Sequence, residues 1–315
     1  MMKPENVKVA VIGAGVMGHG IAQTFAQGGC RVAMVDTTRE ALDRGVHLIR
    51  SSLETLADES LLEEPIETIL SRITCTTSIE EGARNAELAV EVVTEDASLK
   101  KEIFRQLDAS CPPQAILASN TSFLNIFEIA DAYRPEKLVI THWYTPPQLI
   151  PLVDVAGGPR TDPVCLEWIV NILKLIGKKP VLMKKWISGY AINRIQLALQ
   201  REVHYLLDNG FMSVEQIDEA AKFGLAFRMM VVGVMQRFDF GGIDLSVRNF
   251  EGHNSKLTPP DYNPKTLYDL FEKGHFGVKT GKGFYDYTGK TEAEIYRERD
   301  HKLVVMLKYL KETED

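Results

Sequence analysis

Apolar positions along this chain follow two rhythms, and the change between them divides it. In the first two thirds, short runs rich in β-branched residues alternate with stretches whose apolar positions recur every three or four residues. The runs at 7–12, 31–35, 88–93, 116–119, 138–141, 152–155 and 180–183 predict strands. The stretches at 16–27, 39–57, 99–109, 126–132 and 164–176 predict helices. Such alternation implies a mainly parallel sheet covered by helices on both faces. After "VLMKKWISGY" the strand rhythm stops. Helix then follows helix, beginning with a long amphipathic run at 189–208. Two capping boxes mark helix starts in this part, "SVEQ" from Ser213 and "TEAE" from Thr291. The boundary falls at 186–189, giving an α/β domain at 1–187 and an all-α domain at 188–315.

Composition narrows the classes. The 315 residues carry a net charge of -7, which offers no general attraction to nucleic acid or to an anionic membrane. No apolar run is long enough to cross a bilayer. The first strand starts so early that a signal peptide has no room. Cys30, Cys75, Cys111 and Cys165 are widely spaced and form no CxxC pair. They read as reduced thiols of a cytoplasmic protein. No Cys/His spacing suits zinc, so no metal is expected.

The first strand runs into "GAGVMGHG". Gly13, Gly15 and Gly18 follow a strand and open a helix, the arrangement that lets a pyrophosphate approach the backbone at a helix N-terminus. Val16 and Met17 complete the loop. The next strand ends at Asp36, eighteen residues after Gly18. A carboxylate there accepts hydrogen bonds from both adenosine ribose hydroxyls and repels a 2′-phosphate, so the expected cofactor is NAD. The α/β part is therefore expected to be a Rossmann dinucleotide-binding domain. A nicotinamide cofactor needs a base for the alcohol proton, and histidine suits that role near neutral pH. Of seven histidines, only His142 ends a predicted parallel strand, where such sheets place their sites. On position alone, a packed core histidine is an equal reading.

Five motifs extend the picture: "VIGAGVMGHGIA", "SNTSFLNI", "THWYTPPQLIPLVDV", "SGYAINRI" and "GHFGVKTGKGFYDY". In them the chain resembles the L-3-hydroxyacyl-CoA dehydrogenase family over nearly its whole length. The resemblance implies that His142 is the general base and that Asp154 orients it. It implies that Ser122 and Asn193 bind the substrate oxygen, and that Glu95 and Lys100 lie at the cofactor or substrate. It also implies a helical second domain like the C-terminal domain of 6-phosphogluconate dehydrogenase, a site between the domains, and a homodimer formed through the helical part.

Three departures bear on the substrate. The usual "HFFNP" is "HWYTP", so Thr145 stands for asparagine. The orienting acid is Asp154 rather than glutamate, which requires the backbone to close by about one methylene. The usual "PMGP" stretch becomes "FRMMVVGVM". In addition, 51–71 holds six acids and no Lys or Arg; placed where the resemblance puts it, that surface would repel the phosphates of CoA, with a solvated helical hairpin indifferent to ligand as the rival reading. Arg228, in "FGLAFRMMVVG", matches the arginine after "GL" in non-CoA branches such as carnitine dehydrogenase and L-gulonate 3-dehydrogenase. It is expected to grip a free substrate carboxylate, with a protein acid as the rival partner. Trp143 and Tyr144 are candidate pocket walls, with ordinary core as the rival reading of each. The expected activity is therefore NAD-dependent oxidation of the 3-hydroxyl of a small free hydroxy acid. One alternative is a short-chain 3-hydroxyacyl-CoA dehydrogenase. Another, from a different class, is a non-catalytic NAD-binding protein resembling the lens crystallins of this fold.

Overall fold

A computed structural model describes residues 3–130, 133–251, 257–259 and 261–313. The end of the helix predicted at 126–132 lies outside the described residues.

One eight-stranded sheet organises the first part of the chain. Its strands are β1 (Lys8–Ile12), β2 (Arg31–Val35), β3 (Ile73–Thr76), β4 (Leu88–Glu91), β5 (Ile116–Ser119), β6 (Leu138–Trp143), β7 (Leu152–Gly157) and β8 (Lys179–Leu182). They lie in the order β3-β2-β1-β4-β5-β6-β7-β8. The pairs from β3 across to β6 are parallel, as the alternating pattern requires. β7 then turns back antiparallel to β6, and β8 runs parallel to β7. The helices of this part are α1 (Gly18–Gln27), α2 (Arg39–Asp58), α3 (Ile66–Leu70), α4 (Ile79–Ala83), α5 (Ala97–Ser110), α6 (Ile126–Ile129) and α7 (Pro163–Leu175).

Strand alternation distributes the core to the two faces. Val9 and Val11 pack with Ile21 and Phe25 of α1 and Ile49 of α2. Ala10 and Ile12 face the other way, toward Phe104 and Leu107 of α5. Burial on both faces explains why these strands read as continuous apolar runs. Strand β3 and helices α3 and α4 escaped the sequence pattern. "ITCT" is short, half polar and only partly buried at the sheet edge, so neither run length nor apolarity marks it.

The chain forms two compact units. The first comprises the residues up to Tyr190 together with those from Arg297 onward; the second spans Ala191–Tyr296. The long helix α8 (Tyr190–Asp208) leads into the second unit. There follow α9 (Val214–Glu219), a π-helical turn at Ala220–Ala226, α10 (Phe227–Val232), α11 (Val234–Gly241), α12 (Ile243–Glu251) and α13 (Lys265–Glu272). Ser213 and Gln216 form the expected capping box at the start of α9. Thr291 and Glu294 exchange the same reciprocal bonds at the start of α14 (Glu292–Thr313). Beyond Arg297, α14 packs on the sheet unit. Val304 is fully buried in a cluster with Leu56 of α2 and Leu149 of the β6–β7 loop. Lys308 and His301 both reach Glu59, at 2.7 and 2.6 Å. No helix among the described residues is long and apolar enough to cross a membrane.

Candidate active site

The glycine loop joins β1 to α1 at the carboxyl end of the sheet. A side chain at Gly18 would place its Cβ 1.8 Å from the Gly13 carbonyl oxygen, so helix and turn meet only because both residues are glycine. Gly15 is the opposite case. Nothing lies within 4 Å of where its Cβ would stand, leaving room for a ligand against the backbone. No side chain caps the start of α1, and Val16 is exposed beside it. Asp36, at the end of β2, accepts from Ala14 N–H at 2.7 Å and Thr37 N–H at 2.7 Å. These features fit a dinucleotide: open backbone at a helix N-terminus for phosphate, and a carboxylate at the rim for ribose. The nearby Arg39 pairs with Asp43 along its own helix.

Strand β6 delivers His142, which is 3 % exposed. Asp154 is its direct partner in the antiparallel β6–β7 register. Opposed Cβ atoms in such a pair are about 5 Å apart, and that closeness lets the short aspartate approach without a longer side chain. Asp154 Oδ2 lies 3.4 Å from His142 Nδ1. On the other side of the ring, Ser122 Oγ lies 3.2 Å from Nε2. The arrangement assigns the Nδ1–H tautomer, with Ser122 O–H donating to Nε2. Two tyrosines complete the box: Tyr144, a candidate pocket wall by sequence, and Tyr190, which the sequence does not single out as a site residue. Tyr190 stacks on the imidazole at 4.3 Å and donates its hydroxyl to Thr121 C=O at 2.6 Å. Tyr144 meets the ring edge-on at 4.7 Å and donates to Asp154 Oδ2 at 2.6 Å. Burial, and for Tyr144 the Asp154 carboxylate as well, pushes both phenols well above the usual tyrosine range.

Ser122 is held from beneath by Glu95. That carboxylate accepts from Thr121 Oγ1 at 2.7 Å, Ser122 N–H at 2.9 Å and Phe123 N–H at 2.8 Å. Burial alone would raise its pKa, but these bonds and the Lys100 charge win and hold it below the ordinary value. Lys100 is 1 % exposed. Its Nζ donates to Glu91 at 2.7 Å and lies 3.4 Å from Glu95. Glu91, wholly buried in the middle of the sheet, also accepts from Ser119 Oγ at 2.6 Å. Lys100 thus stands beneath the surface as the partner of two acids, not as an open ligand contact. The readable sign of Glu91 was an acid inside the apolar run "LAVEVV".

Trp143 is corrected outright. Adjacent strand residues point to opposite faces, so the residue after His142 turns into the core. There it lies 2 % exposed against Phe25. Lys178 Nζ sits 5.5 Å above its indole and donates to the carbonyls of Pro147 and Ile150 at 2.6 and 3.0 Å, pinning the loop after β6. Thr145, the asparagine replacement, donates to Met17 Sδ at 3.0 Å and so ties that loop to the glycine loop.

Asn193 and Arg228 belong to the helical unit. Asn193 is half-buried on the first turns of α8. Arg228 is exposed at the start of α10, and its Nε donates to Gly224 C=O in the π-helical turn at 2.6 Å. Among the described residues no carboxylate pairs with its guanidinium. The acidic stretch at 51–71 is less bare than its sequence. Arg50, Arg72 and Lys308 pair with Glu67, Glu64 and Glu59. Glu54, Asp58 and Glu63 remain exposed. No cluster of His, Cys, Asp or Glu among the described residues could hold a metal.

The chain is similar to known proteins over most of its length. Residues 8–186 match the family model for the 3-hydroxyacyl-CoA dehydrogenase NAD binding domain, and residues 189–287 match that for the C-terminal domain. Helix α14 lies beyond both. The 5-formyl-3-hydroxy-2-methylpyridine 4-carboxylate 5-dehydrogenase of Mesorhizobium japonicum is 31% identical over 305 residues, 96% of this chain and 97% of that protein. A crystal structure of an enzyme with that activity, titled an NAD+ dependent dismutase, superposes over 100% of both chains with a TM-score of 0.87 and 29% identity. A probable 3-hydroxybutyryl-CoA dehydrogenase of Bacillus subtilis is 34% identical over 91% of this chain and 99% of its own length. The (S)-3-hydroxybutyryl-CoA dehydrogenase of Ralstonia eutropha superposes at a TM-score of 0.71 with 30% identity, over 89% of this chain and 99% of its own.

Proposed function

This chain belongs to the 3-hydroxyacyl-CoA dehydrogenase family, and we propose that its substrate is a small free carboxylate with a secondary alcohol on the β carbon. It is an NAD-dependent oxidoreductase acting on a CH–OH group, converting the 3-hydroxyl of a 3-hydroxy acid or 3-hydroxyacyl substrate to a ketone. Bound NAD supplies the acceptor for the hydride that leaves carbon 3. The protein's residues do the rest. Gly13, Gly15, Val16, Met17 and Gly18 frame the pyrophosphate, and Asp36 takes the ribose hydroxyls. His142 accepts the alcohol proton at Nε2, while Asp154 fixes the tautomer and stabilises the imidazolium. Ser122 turns its hydroxyl from Nε2 to the substrate oxygen as that oxygen becomes a carbonyl. Asn193 is a second donor to that oxygen by its "NR" motif. Glu95, with Lys100 behind it, keeps the Ser122 loop in place.

The observation that carries the chemistry is His142 held between Ser122 and Asp154 by its two ring nitrogens. The choice of a free acid rests on Arg228, a guanidinium without a carboxylate partner among the described residues. A carboxylate ligand would give it the bidentate contact it lacks. Support comes from the Mesorhizobium relative, named for a substrate that carries a carboxylate and no CoA. The second reading, a CoA thioester, is favoured by the names of the Bacillus and Ralstonia relatives. Against it stand the exposed acids of α2 and the segment that follows, and α14, whose Val304 covers Leu149 beside the catalytic strand.

A homodimer through the helical unit is proposed from its exposed apolar side chains, among them Phe223, Phe227, Met235 and Phe240. A cytoplasmic location is proposed from four cysteines that are all free thiols. A panel of 3-hydroxybutyrate, carnitine, gulonate and the pyridine carboxylate, set beside 3-hydroxybutyryl-CoA, tests the substrate class. Arg228→Lys is expected to raise KM for the preferred acid roughly tenfold or more, as for loss of one charge-assisted hydrogen bond. An unchanged KM would remove Arg228 from the site.

A further inference from the structure

The short acid of the histidine pair has acquired a second partner. Asp154 Oδ2 lies 2.6 Å from the Tyr144 hydroxyl and 3.4 Å from His142 Nδ1. The first is a short charge-assisted hydrogen bond, and the second is beyond the usual N–H···O range. Both converge on one oxygen of a residue that is 2 % exposed. Tyr144 stands two places after His142, so its side chain returns to the same side of the chain. Its ring edge also abuts the imidazole.

We propose that Tyr144 is a positioning residue which holds the Asp154 carboxylate, shares its charge, and thereby sets the basicity of His142. A hydroxyl donated to Oδ2 stabilises the carboxylate, leaving less charge to stabilise an imidazolium. The other groups facing the imidazole are few. Tyr190 lies on its face with its hydroxyl committed to Thr121, Ser122 is at Nε2, and Glu95 is turned to the Ser122 backbone and Thr121. None of these touches Asp154 Oδ2 with a hydrogen bond. The aspartate and the tyrosine therefore act as a matched pair: an acid that stands 3.4 Å from His142 Nδ1, and a phenol that fixes where it stands.

This inference rests on the role proposed for His142, and the experiment separates the two. Tyr144→Phe frees Oδ2 for Nδ1–H. The acid-side midpoint of kcat/KM for alcohol oxidation is expected to rise by roughly half to one pH unit, with KM for substrate and NAD within twofold. The imidazole of His142, titrated by nitrogen-15 NMR, is expected to move by the same amount whether or not the protein turns over. Asp154→Glu is expected to lose activity in the presence of Tyr144, because the longer acid meets the phenol, and to regain it in the double variant with Tyr144→Phe. Unmoved midpoints in Tyr144→Phe, or a double variant no better than Asp154→Glu alone, would overturn the inference. If the imidazole shifts while His142→Gln retains turnover, the positioning role stands and the catalytic reading of His142 falls.

Discussion

The sheet unit and the helical unit treat their charged groups in opposite ways. In the sheet unit the charged groups around His142 are held by hydrogen bonds and ion pairs, and the innermost of them are buried. Lys100 and Glu91 are 1 % and 0 % exposed and joined at 2.7 Å, and Glu95 accepts from a side chain and two backbone N–H groups. In the helical unit most charges lie on the outside, where pairs such as Lys265 with Asp269 run along one helix face, and only a few, such as Glu202 and Asp208, are half-buried acceptors. Arg228 is exposed there, and among the described residues its partner is a backbone carbonyl. Geometry that chemistry requires is built into strands and paid for with buried ion pairs. A group meant to meet a ligand is left with unused hydrogen-bonding capacity.

The largest expected effect is at the base. His142→Gln should lower kcat/KM for oxidation by about 10²- to 10⁴-fold, with NAD affinity, measured by calorimetric titration, unchanged. An effect under tenfold would take His142 out of the reaction. Next comes Lys100→Met, which leaves the Glu91 charge buried without its cation. It should cost about 3–5 kcal/mol in urea unfolding. Lys265→Met, in the exposed pair of the helical unit, should produce no measurable change; comparable losses from the two would erase the contrast between the units. The glycine loop offers a finer split. Gly18→Ala should destabilise by about 1–3 kcal/mol through its clash with Gly13. Gly15→Val, entering open space, should weaken NAD while leaving the melting temperature in place.

The smallest effect is a dependence on pH. Burial pushes Lys178 down to about 7 from the ordinary lysine value of 10.5. Between those two values the unfolded chain holds a proton that the folded chain has released. Its contribution to stability therefore rises with pH through that window, and below about pH 7 the buried ammonium works against folding. Denaturant titrations from pH 6.5 to 9.5 should show a rising component that Lys178→Met abolishes. An identical slope in the variant would contradict this.

How much of this was legible in the residues depended on how local the signal was. The glycine loop, Asp36 and the parallel sheet are written in short stretches, and each stands where the pattern implied. The short strand β3 was hidden because an edge strand of four half-polar residues has neither period nor length. His142 could be located by its place at a strand end. Its contact with Asp154 could not, because it depends on β7 turning antiparallel, which an alternating strand–helix pattern does not announce. Tyr144 reads as pocket wall or core and Tyr190 carries no site signal; only the fold places both rings on the imidazole. Trp143 adjoins His142 in sequence, but strand alternation turns it to the opposite face of the sheet. Glu91 was visible as an acid in an apolar run, but its need for Lys100 appears only once β4 and α5 are packed together.

The central claim is that this chain oxidises a free 3-hydroxy acid through His142, without CoA. The most direct measurement is the ratio of kcat/KM for the best free acid of the panel to that for 3-hydroxybutyryl-CoA, followed as NADH. The account predicts a ratio of roughly ten or more, falling in Arg228→Lys through the acid alone. A ratio below one, with Arg228→Lys affecting neither substrate, would contradict it.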